Sequence, residues 1–327
     1  MSRLRVGLAV VVLIAAGCSR TQSNSATPGT FKVALLSPGP VSDAGWNALA
    51  YEGLLAIREQ LGAEIAQVQT STPAQFEEGF RGFARRGFNL VFGHGFEFQD
   101  AAAAVAPAFP NTVFITTSGN TVRPNVAPLR FMLEEATYLE GMLTALMSKS
   151  GKAGAIGGMA IPSVKSTIAA YTAGTQAVQP TFAVATSYVG NWDDVGAAKE
   201  ASLALIVQGA DVLFHNADAA GLGVFQAARE RSVWAFGANK DQNAVAPDVI
   251  LASAVIDIPR AFVTVARQVK DHTFVAKIEQ LGMRDGVVSL VYNPALVGRI
   301  PPDAKARVDA AQQEILSGTL VVPSAEF

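Results

Sequence analysis

The chain has 327 residues, of which 50% are hydrophobic and 16% are charged. This length and apolar content predict one large or two medium folded domains rather than a disordered chain. Twenty-five basic residues against twenty-seven acidic ones give no excess of positive charge, which argues against a nucleic-acid-binding protein.

Residues 1–17 have the order of a signal peptide, with two arginines, the apolar run VGLAVVVLIAA and small residues. That run is too short to remain as a membrane-spanning helix. Cys18 follows directly and resembles a lipobox cysteine, which is acylated and becomes the first residue of a lipid-anchored protein. Ala15 departs from the pattern, because leucine is commonest there. Two alternatives stay open: secretion with a free Cys18, and loss of Cys18 with the signal peptide.

Residues 18–30 are expected to form a flexible tether, because SRTQSNSATPGT offers almost nothing to bury. Cys18 is the only cysteine in the chain, so neither an internal disulfide nor a cysteine-built metal site can form. Lipidation would give this single cysteine a function.

From Phe31 onward, short apolar or β-branched runs alternate with loops and longer Ala-rich amphipathic stretches. This alternation predicts an α/β fold with parallel sheets and crossover helices. The predicted strands are Lys32 to Leu36, Glu64 to Val68, Asn89 to Phe92, Val113 to Thr116, Ala153 to Ile156, Ala183 to Tyr188, Val212 to Phe214, Val233 to Phe236 and Val249 to Ala254.

The pattern restarts at Ala153. A tyrosine in the first helix and a histidine after a later strand, Tyr51 and His94, have counterparts Tyr171 and His215 at nearly the same separation. We therefore predict two similar lobes with a cleft between them, rather than an eight-stranded barrel. Ligands of open parallel sheets bind beyond the carboxyl ends of the strands, so the loops after the strands are the candidate site.

Each half has a tryptophan in such a loop. SDAGWN contains Asp43, Trp46 and Asn47, and the matching YVGNWDD contains Trp192. A tryptophan in a polar loop offers a flat stacking face, so we expect Trp46 and Trp192 to hold a planar ligand. The alternatives are that each ring packs on its own lobe and that Asp43 only caps a helix.

His94 and His215 end equivalent strands and are expected to face the cleft. No further ligand at zinc-like spacing accompanies them, so we predict hydrogen bonding and no metal. Asn216 follows His215 and adds a donor and an acceptor, whereas Asp218 is expected only to cap the next helix.

The loop FGANKDQN contributes Asn239 and Asp241 as further ligand-binding candidates, with a solvated turn as the alternative. Motifs for a phosphate loop, a zinc hydrolase or a nucleophile elbow are absent from the sequence, so neither an enzyme nor a cofactor is expected. A hydrolase with paired carboxylates stays open in principle, if the fold brings Glu134 and Glu135, or Asp193 and Asp194, near other acids.

Several segments together resemble the basic membrane protein family of substrate-binding lipoproteins, similar to the purine nucleoside receptors of ABC transporters. They are SDAGWNALAYEG, FMLEEATYLEGMLTALM, GKAGAIGGMAIPSV, YVGNWDD, GADVLFHNADAAGLGVFQAA and WAFGANKDQN. The resemblance implies a type I periplasmic-binding-protein fold with a three-strand hinge. We expect an N-terminal lobe of residues 31–130 plus about 255–290, and a C-terminal lobe of 131–254 plus about 291–327.

The resemblance also implies a purine stacked between Trp46 and Trp192. It further implies that Asp43 and Asn47 contact the base or the sugar, and that a membrane permease is the partner. Three departures weaken the implied ribose recognition: Ala160 and Asn239 stand where the family has acids, and Ile256 stands where it commonly has a lysine. We expect a lipid-anchored receptor in the cell envelope that binds a purine nucleoside, a free base or a flavin. A ligand sensor signalling to a membrane partner and a nucleoside hydrolase are the alternatives.

Overall fold

The computed structural model describes residues 29–42 and 45–324, so Cys18, most of the predicted tether and Asp43 lie outside the described residues. The strands are β1 (Lys32–Ser37), β2 (Glu64–Gln69), β3 (Leu90–Gly93), β4 (Val113–Thr117), β5 (Val126–Phe131), β6 (Lys152–Gly157), β7 (Ala183–Tyr188), β8 (Val212–Asn216), β9 (Trp234–Asn239), β10 (Ile250–Ile256), β11 (Glu279–Leu281) and β12 (Val288–Tyr292). The helices are α1 (Trp46–Leu61), α2 (Pro73–Arg85), α3 (Gln99–Val105), α4 (Glu134–Met147), α5 (Pro162–Val178), α6 (Val195–Val207), α7 (Gly221–Arg231), α8 (Ile258–Lys270) and α9 (Pro302–Ser317).

The first sheet has the strand order β11-β5-β4-β3-β1-β2, and all its neighbouring strands are parallel. Helices cover both faces, which explains why its central strands are apolar at successive positions. On β1, Val33 and Leu35 pack toward α1 and α8, while Ala34 and Leu36 pack toward α2 and α3. This sheet and these four helices are called the first lobe below.

The second sheet has the order β12-β10-β9-β8-β6-β7 and is parallel except for β12, which runs antiparallel to β10. Ile156 on β6 packs with the core residues of α6 and α7, whereas its neighbour Ala155 packs toward α4 and α5. This sheet with α4 to α7 and α9 is called the second lobe. The predicted α/β architecture of two similar sheets is therefore confirmed, and two open sheets exclude a barrel.

The chain crosses between the lobes three times: from β5 to α4, from β10 to α8, and from β11 to β12. The second crossing is short, because Asp257 ends it by capping α8 with a hydrogen bond from the Arg260 N–H at 2.9 Å.

All nine predicted strands are present, but the prediction missed β5, β11 and β12. β5 contains Pro128, which argues against a strand in the middle of a sheet. The structure tolerates it because β11 pairs only with Leu129 to Phe131, so no neighbour requires an N–H at Pro128. β11 has three residues and β12 returns antiparallel, so neither follows the alternation of the rest of the chain.

Candidate functional site

A cavity of about 500 Å³ lies between the lobes, at the carboxyl ends of the strands. The first lobe contributes residues that follow β1, β3, β4 and β5, and the second lobe contributes residues at the ends of β7, β8, β9 and β10. The place matches the expectation for open parallel sheets. Five of the sequence-predicted site residues line it: Trp46, Asn47, Trp192, Asn216 and Asn239.

Trp46 begins α1 and presents its indole ring to the cavity from the first lobe. The His94 ring stacks on it with centroids 4.2 Å apart and planes inclined by 22°. Phe131 meets the indole edge-on at 5.8 Å. These two rings hold Trp46 in one orientation, as a fixed stacking platform requires.

His94 was expected to face the cleft, but the fully buried ring lies behind Trp46 and is not among the residues that line the cavity. Its Nε2 is 3.1 Å from the Trp46 carbonyl oxygen, and its Nδ1 is 3.3 Å from the Thr117 hydroxyl. A carbonyl only accepts, so Nε2 carries the proton and Nδ1 accepts from Thr117. His94 therefore positions Trp46.

Trp192 lies in the second-lobe loop between β7 and α6. The Asn191 side chain folds this loop by accepting hydrogen bonds from the N–H groups of Asp193 and Asp194, at 3.1 and 2.8 Å. The Trp192 carbonyl accepts from the Ala220 N–H at 2.9 Å. The indole ring packs over Gly158 so closely that a Cβ there would overlap it. Backbone, rather than a second ring, supports this tryptophan.

The second lobe also provides a chain of polar side chains on the cavity wall. The Asn216 side-chain amide donates to the Thr167 hydroxyl at 3.0 Å, and the Asn239 side-chain amide donates to Oδ1 of Asn216 at 3.3 Å. All three residues line the cavity and are at most 8% exposed. Thr167, Asn216 and Asn239 thus form a buried row that can bond donors and acceptors of a ligand.

His215 and Asp241 do not line the cavity, contrary to the expectation from their positions. The His215 ring packs edge-on against Phe225 and its Nε2 bonds the Gln242 amide oxygen at 3.0 Å. Burial lowers the pKa of His215 to about 4, against a smaller opposing effect of that hydrogen bond. Asp241 is exposed and accepts the Asn243 N–H at 3.0 Å, so it shapes its own turn.

Sequence reasoning missed Arg130 and did not recognise the position of Glu134. Both line the cavity where β5 passes into α4. Burial raises the pKa of the Glu134 carboxyl, opposed by a hydrogen bond from Ser166 and by the charge of Arg130. The Arg130 Nε donates to the Gly119 carbonyl at 2.8 Å. Arg130 could have been found only by predicting β5, on which it lies, and the sequence pattern did not predict that strand.

The acids considered for a hydrolase, which are neighbours in sequence, point to different places in the structure. Glu134 faces the cavity, whereas Glu135 accepts the Met283 N–H at 2.6 Å at the third crossing. Successive helix residues point about 100° apart, which explains the separation. Asp193 lines the cavity, but Asp194 caps α6 by accepting the Ala197 N–H at 2.9 Å. Of these four acids, only Glu134 and Asp193 line the cavity.

Across residues 29–42 and 45–324, no group of three or more His, Cys, Asp and Glu residues is arranged to hold a metal ion. The same residues include no helix with the length and apolar character needed to cross a membrane.

A sequence model of the Bmp family, described as ABC transporter substrate-binding protein PnrA-like, matches residues 30–326. The chain belongs to the Bmp family. The resemblance inferred from the sequence segments is therefore confirmed. Members of the family are periplasmic or extracellular substrate-binding proteins of ABC transporters rather than enzymes.

Individual relatives extend along most of the chain. A purine-binding protein of Brucella abortus is 30% identical over 88% of this chain and 82% of its own length. The ABC transporter nucleoside-binding protein BmpA of Lactococcus lactis is 27% identical over 96% of this chain and 95% of its own. A solved ABC transporter solute-binding protein of Aeropyrum pernix K1 has a TM-score of 0.81 at 22% identity, covering 91% of this chain and 94% of that one. The last likeness concerns the fold.

Proposed function

We propose that this Bmp-family protein captures a purine nucleoside or a related flat heterocycle in the interlobe cavity for an ABC importer. The observation that carries the proposal is that Trp46 and Trp192 line one cavity from opposite lobes. Stacking of a base on an aromatic side chain contributes about 1–3 kcal/mol. A cavity of about 500 Å³ also falls in the range of small-molecule sites.

The polar row of Thr167, Asn216 and Asn239 supports the same ligand class. Amide and hydroxyl groups donate and accept without carrying charge, which suits the edge of an uncharged heterocycle. Their mutual hydrogen bonds hold them in place before a ligand arrives, which reduces the entropy lost on binding.

Sugar recognition is the weaker part of the site. Ile256 lies on the cavity wall at the end of β10, at the position where the family resemblance implies a lysine. An isoleucine cannot donate to a ribose hydroxyl, and Asn239 replaces an acid. We propose that the base carries most of the recognition. The two relatives named above, one for purine and one for nucleoside, are consistent with this emphasis.

The lipid anchor completes the proposal. An acylated Cys18 and a tether through residue 30 would keep the lobes beside a membrane permease, and closing of the lobes about the three crossings would enclose the ligand. The substitution Cys18→Ser should move the protein from the membrane fraction to the soluble fraction. Continued membrane association of that variant would refute the anchor without touching the ligand proposal.

The experiment that tests the ligand is mass spectrometry of small molecules released by denaturing the purified protein, followed by calorimetry with guanosine, adenine and riboflavin. We expect a purine to be released and bound in a one-to-one complex. Binding of none of the three compounds would overturn the proposal. Guanosine recovered unchanged after prolonged incubation would separate a receptor from a nucleoside hydrolase.

A further inference from the structure

The N-terminus of α1 receives a hydrogen bond acceptor from the opposite lobe. Helix starts leave backbone N–H groups without helical partners, and a Ser, Thr, Asp or Asn at the capping position, just before the helix, often accepts one of them. α1 has Gly45 at that position, which has no side chain to do so. Instead, the Trp46 N–H donates to Oδ1 of Asp218 at 3.2 Å, and Asp218 belongs to the second lobe.

Gly45 and Asp218 fit each other closely. A Cβ added at Gly45 would overlap the Asp218 carboxylate, so only glycine lets the carboxylate approach the helix. Asp218 itself has a positive φ of 50°, a left-handed conformation that few residues other than glycine, Asn and Asp adopt. It had been expected from sequence to cap the helix that follows it. Its side chain reaches α1 of the other lobe instead.

The Asp218 turn is joined to the stacking loop of its own lobe. Asp218–Ala220 form a short 3-10 turn directly after β8, and the Ala220 N–H donates to the Trp192 carbonyl at 2.9 Å. Asp218 also lines the cavity, next in space to Trp46. The same few residues therefore connect Trp192 to the start of the helix that bears Trp46.

A second contact between the lobes ends on the same helix. Lys240 of the second lobe lies with its Nζ 3.5 Å from Oε1 of Glu52 on α1. This pair is exposed, and exposed pairs contribute little. The half-buried Asp218 carboxylate should contribute more to holding the lobes together than this ion pair does. It accepts a hydrogen bond from an N–H group and lies at the positive end of the α1 dipole.

We propose that Asp218 is a closure latch, a positioning residue that joins the lobes through the N-terminus of α1 and so brings Trp46 and Trp192 to their working separation. Separating the lobes breaks the bond, so the carboxylate favours the closed arrangement with or without a ligand. A ligand then binds more tightly, because less of its binding free energy is needed to close the lobes. The affinity part of this inference rests on the proposed function.

Hydrogen exchange of the full chain without ligand tests the latch itself. In the Asp218→Ala variant, the backbone amide hydrogens at the start of α1 should exchange about 5- to 30-fold faster than in the wild type, as expected for loss of a helix cap. Asp194→Ala is the matched control, because it removes the same kind of bond from α6 within one lobe. The control should accelerate exchange only at α6. Unchanged exchange at α1 in Asp218→Ala, or equal acceleration there in the control, would overturn the latch.

Calorimetry with guanosine then tests the coupling to binding. Asp218→Ala should weaken binding about 5- to 30-fold, mainly through faster dissociation. Gly45→Ala should weaken it similarly, because its methyl group displaces the carboxylate, yet it should add little to Asp218→Ala. Gly82→Ala on α2, which meets open space, serves as the control for glycine replacement. Additive losses would contradict contact between residues 45 and 218. If the wild-type chain bound no guanosine, the proposed function would fail, and the exchange result would still decide the latch.

Discussion

The two lobes repeat one order of elements, yet they hold their tryptophans differently. In the first lobe Trp46 stands at the start of a helix and rests on the His94 ring, with Phe131 at its edge. In the second lobe Trp192 stands in a loop and rests on the backbone of Gly158. The first lobe therefore contributes an aromatic wall. The second contributes one ring and the polar row of Thr167, Asn216 and Asn239.

The histidines at equivalent strand ends show the same divergence. His94 uses both ring nitrogens, one on the Trp46 carbonyl and one on the Thr117 hydroxyl. His215 bonds Gln242 through Nε2, while its Nδ1 has no hydrogen-bond partner within the described residues. His94 thus supports a cavity-lining residue, Trp46, whereas His215 packs in the core of the second lobe. Matching positions in the two lobes therefore do not imply matching roles.

The largest effect should come from removing both stacking rings. Trp46→Ala combined with Trp192→Ala should weaken guanosine binding by at least about thirtyfold, since each stack is worth about 1–3 kcal/mol. Calorimetry measures this loss. Trp234→Phe is the control, because Trp234 begins β9 and does not line the cavity. Affinity retained in the double variant would show that neither ring contacts the ligand. The difference in how the two lobes hold their tryptophans would then have no bearing on binding.

Much of this arrangement follows from the sequence, and the remainder depends on packing. Trp46, Trp192, Asn216 and Asn239 could be placed at the cleft because parallel strands end at one edge of a sheet. Whether His94 or His215 turns toward the cleft or the core is decided by neighbouring elements, which the strand pattern does not encode.

Other parts of the site depended on contacts far apart in the chain. Arg130 was overlooked because Pro128 concealed its strand, and the strand is possible only because β11 stops short of that proline. Asp218 was interpreted as a local cap, since local capping is the common case. Its actual partner, the Trp46 N–H, lies 172 residues away in sequence. Such contacts appear only once the two lobes are folded against each other.

The second prediction sharpens the contrast between the histidines. The pKa of His215 is about 4 in the folded protein, against 6.5 ordinarily, because burial disfavours the charged ring. Between these values the unfolded chain binds a proton that the folded chain does not, so stability is full above about pH 6.5 and falls as the pH is lowered toward 4. The loss attributable to His215 should reach about 3 kcal/mol.

Denaturant unfolding at pH 7, 5.5 and 4 measures that loss. The free energy of unfolding of His215→Gln should fall less steeply with decreasing pH than that of the wild type. His272→Asn is the control, because His272 is exposed and Asn tolerates its left-handed φ of 57°. Parallel pH profiles for wild type and His215→Gln would show that the ring is not buried as neutral imidazole.

The third prediction concerns the backbone support of Trp192. Gly158→Ala places a methyl group where the indole ring lies, so the ring must shift at a cost of about 1–3 kcal/mol. We expect guanosine affinity to fall about tenfold by calorimetry, with a smaller change in the free energy of unfolding. Gly298→Ala should leave both unchanged, because a Cβ there meets open space. If Gly158→Ala bound normally, the position of Trp192 would not matter to the ligand.

The smallest effect should come from the support of Trp46, and it separates orientation from stability. His94→Phe keeps a ring beneath the indole but loses the hydrogen bond to the Trp46 carbonyl, which is worth about 0.5–1.5 kcal/mol. Thr117→Val removes the bond on the other side of the imidazole, away from Trp46. Both variants should lower the melting temperature, because both residues are fully buried. Only His94→Phe should also weaken guanosine binding, by about two- to tenfold. Equal affinity losses in the two variants would mean that His94 stabilises the first lobe as a whole, as His215 does the second, and the difference between the histidines would disappear.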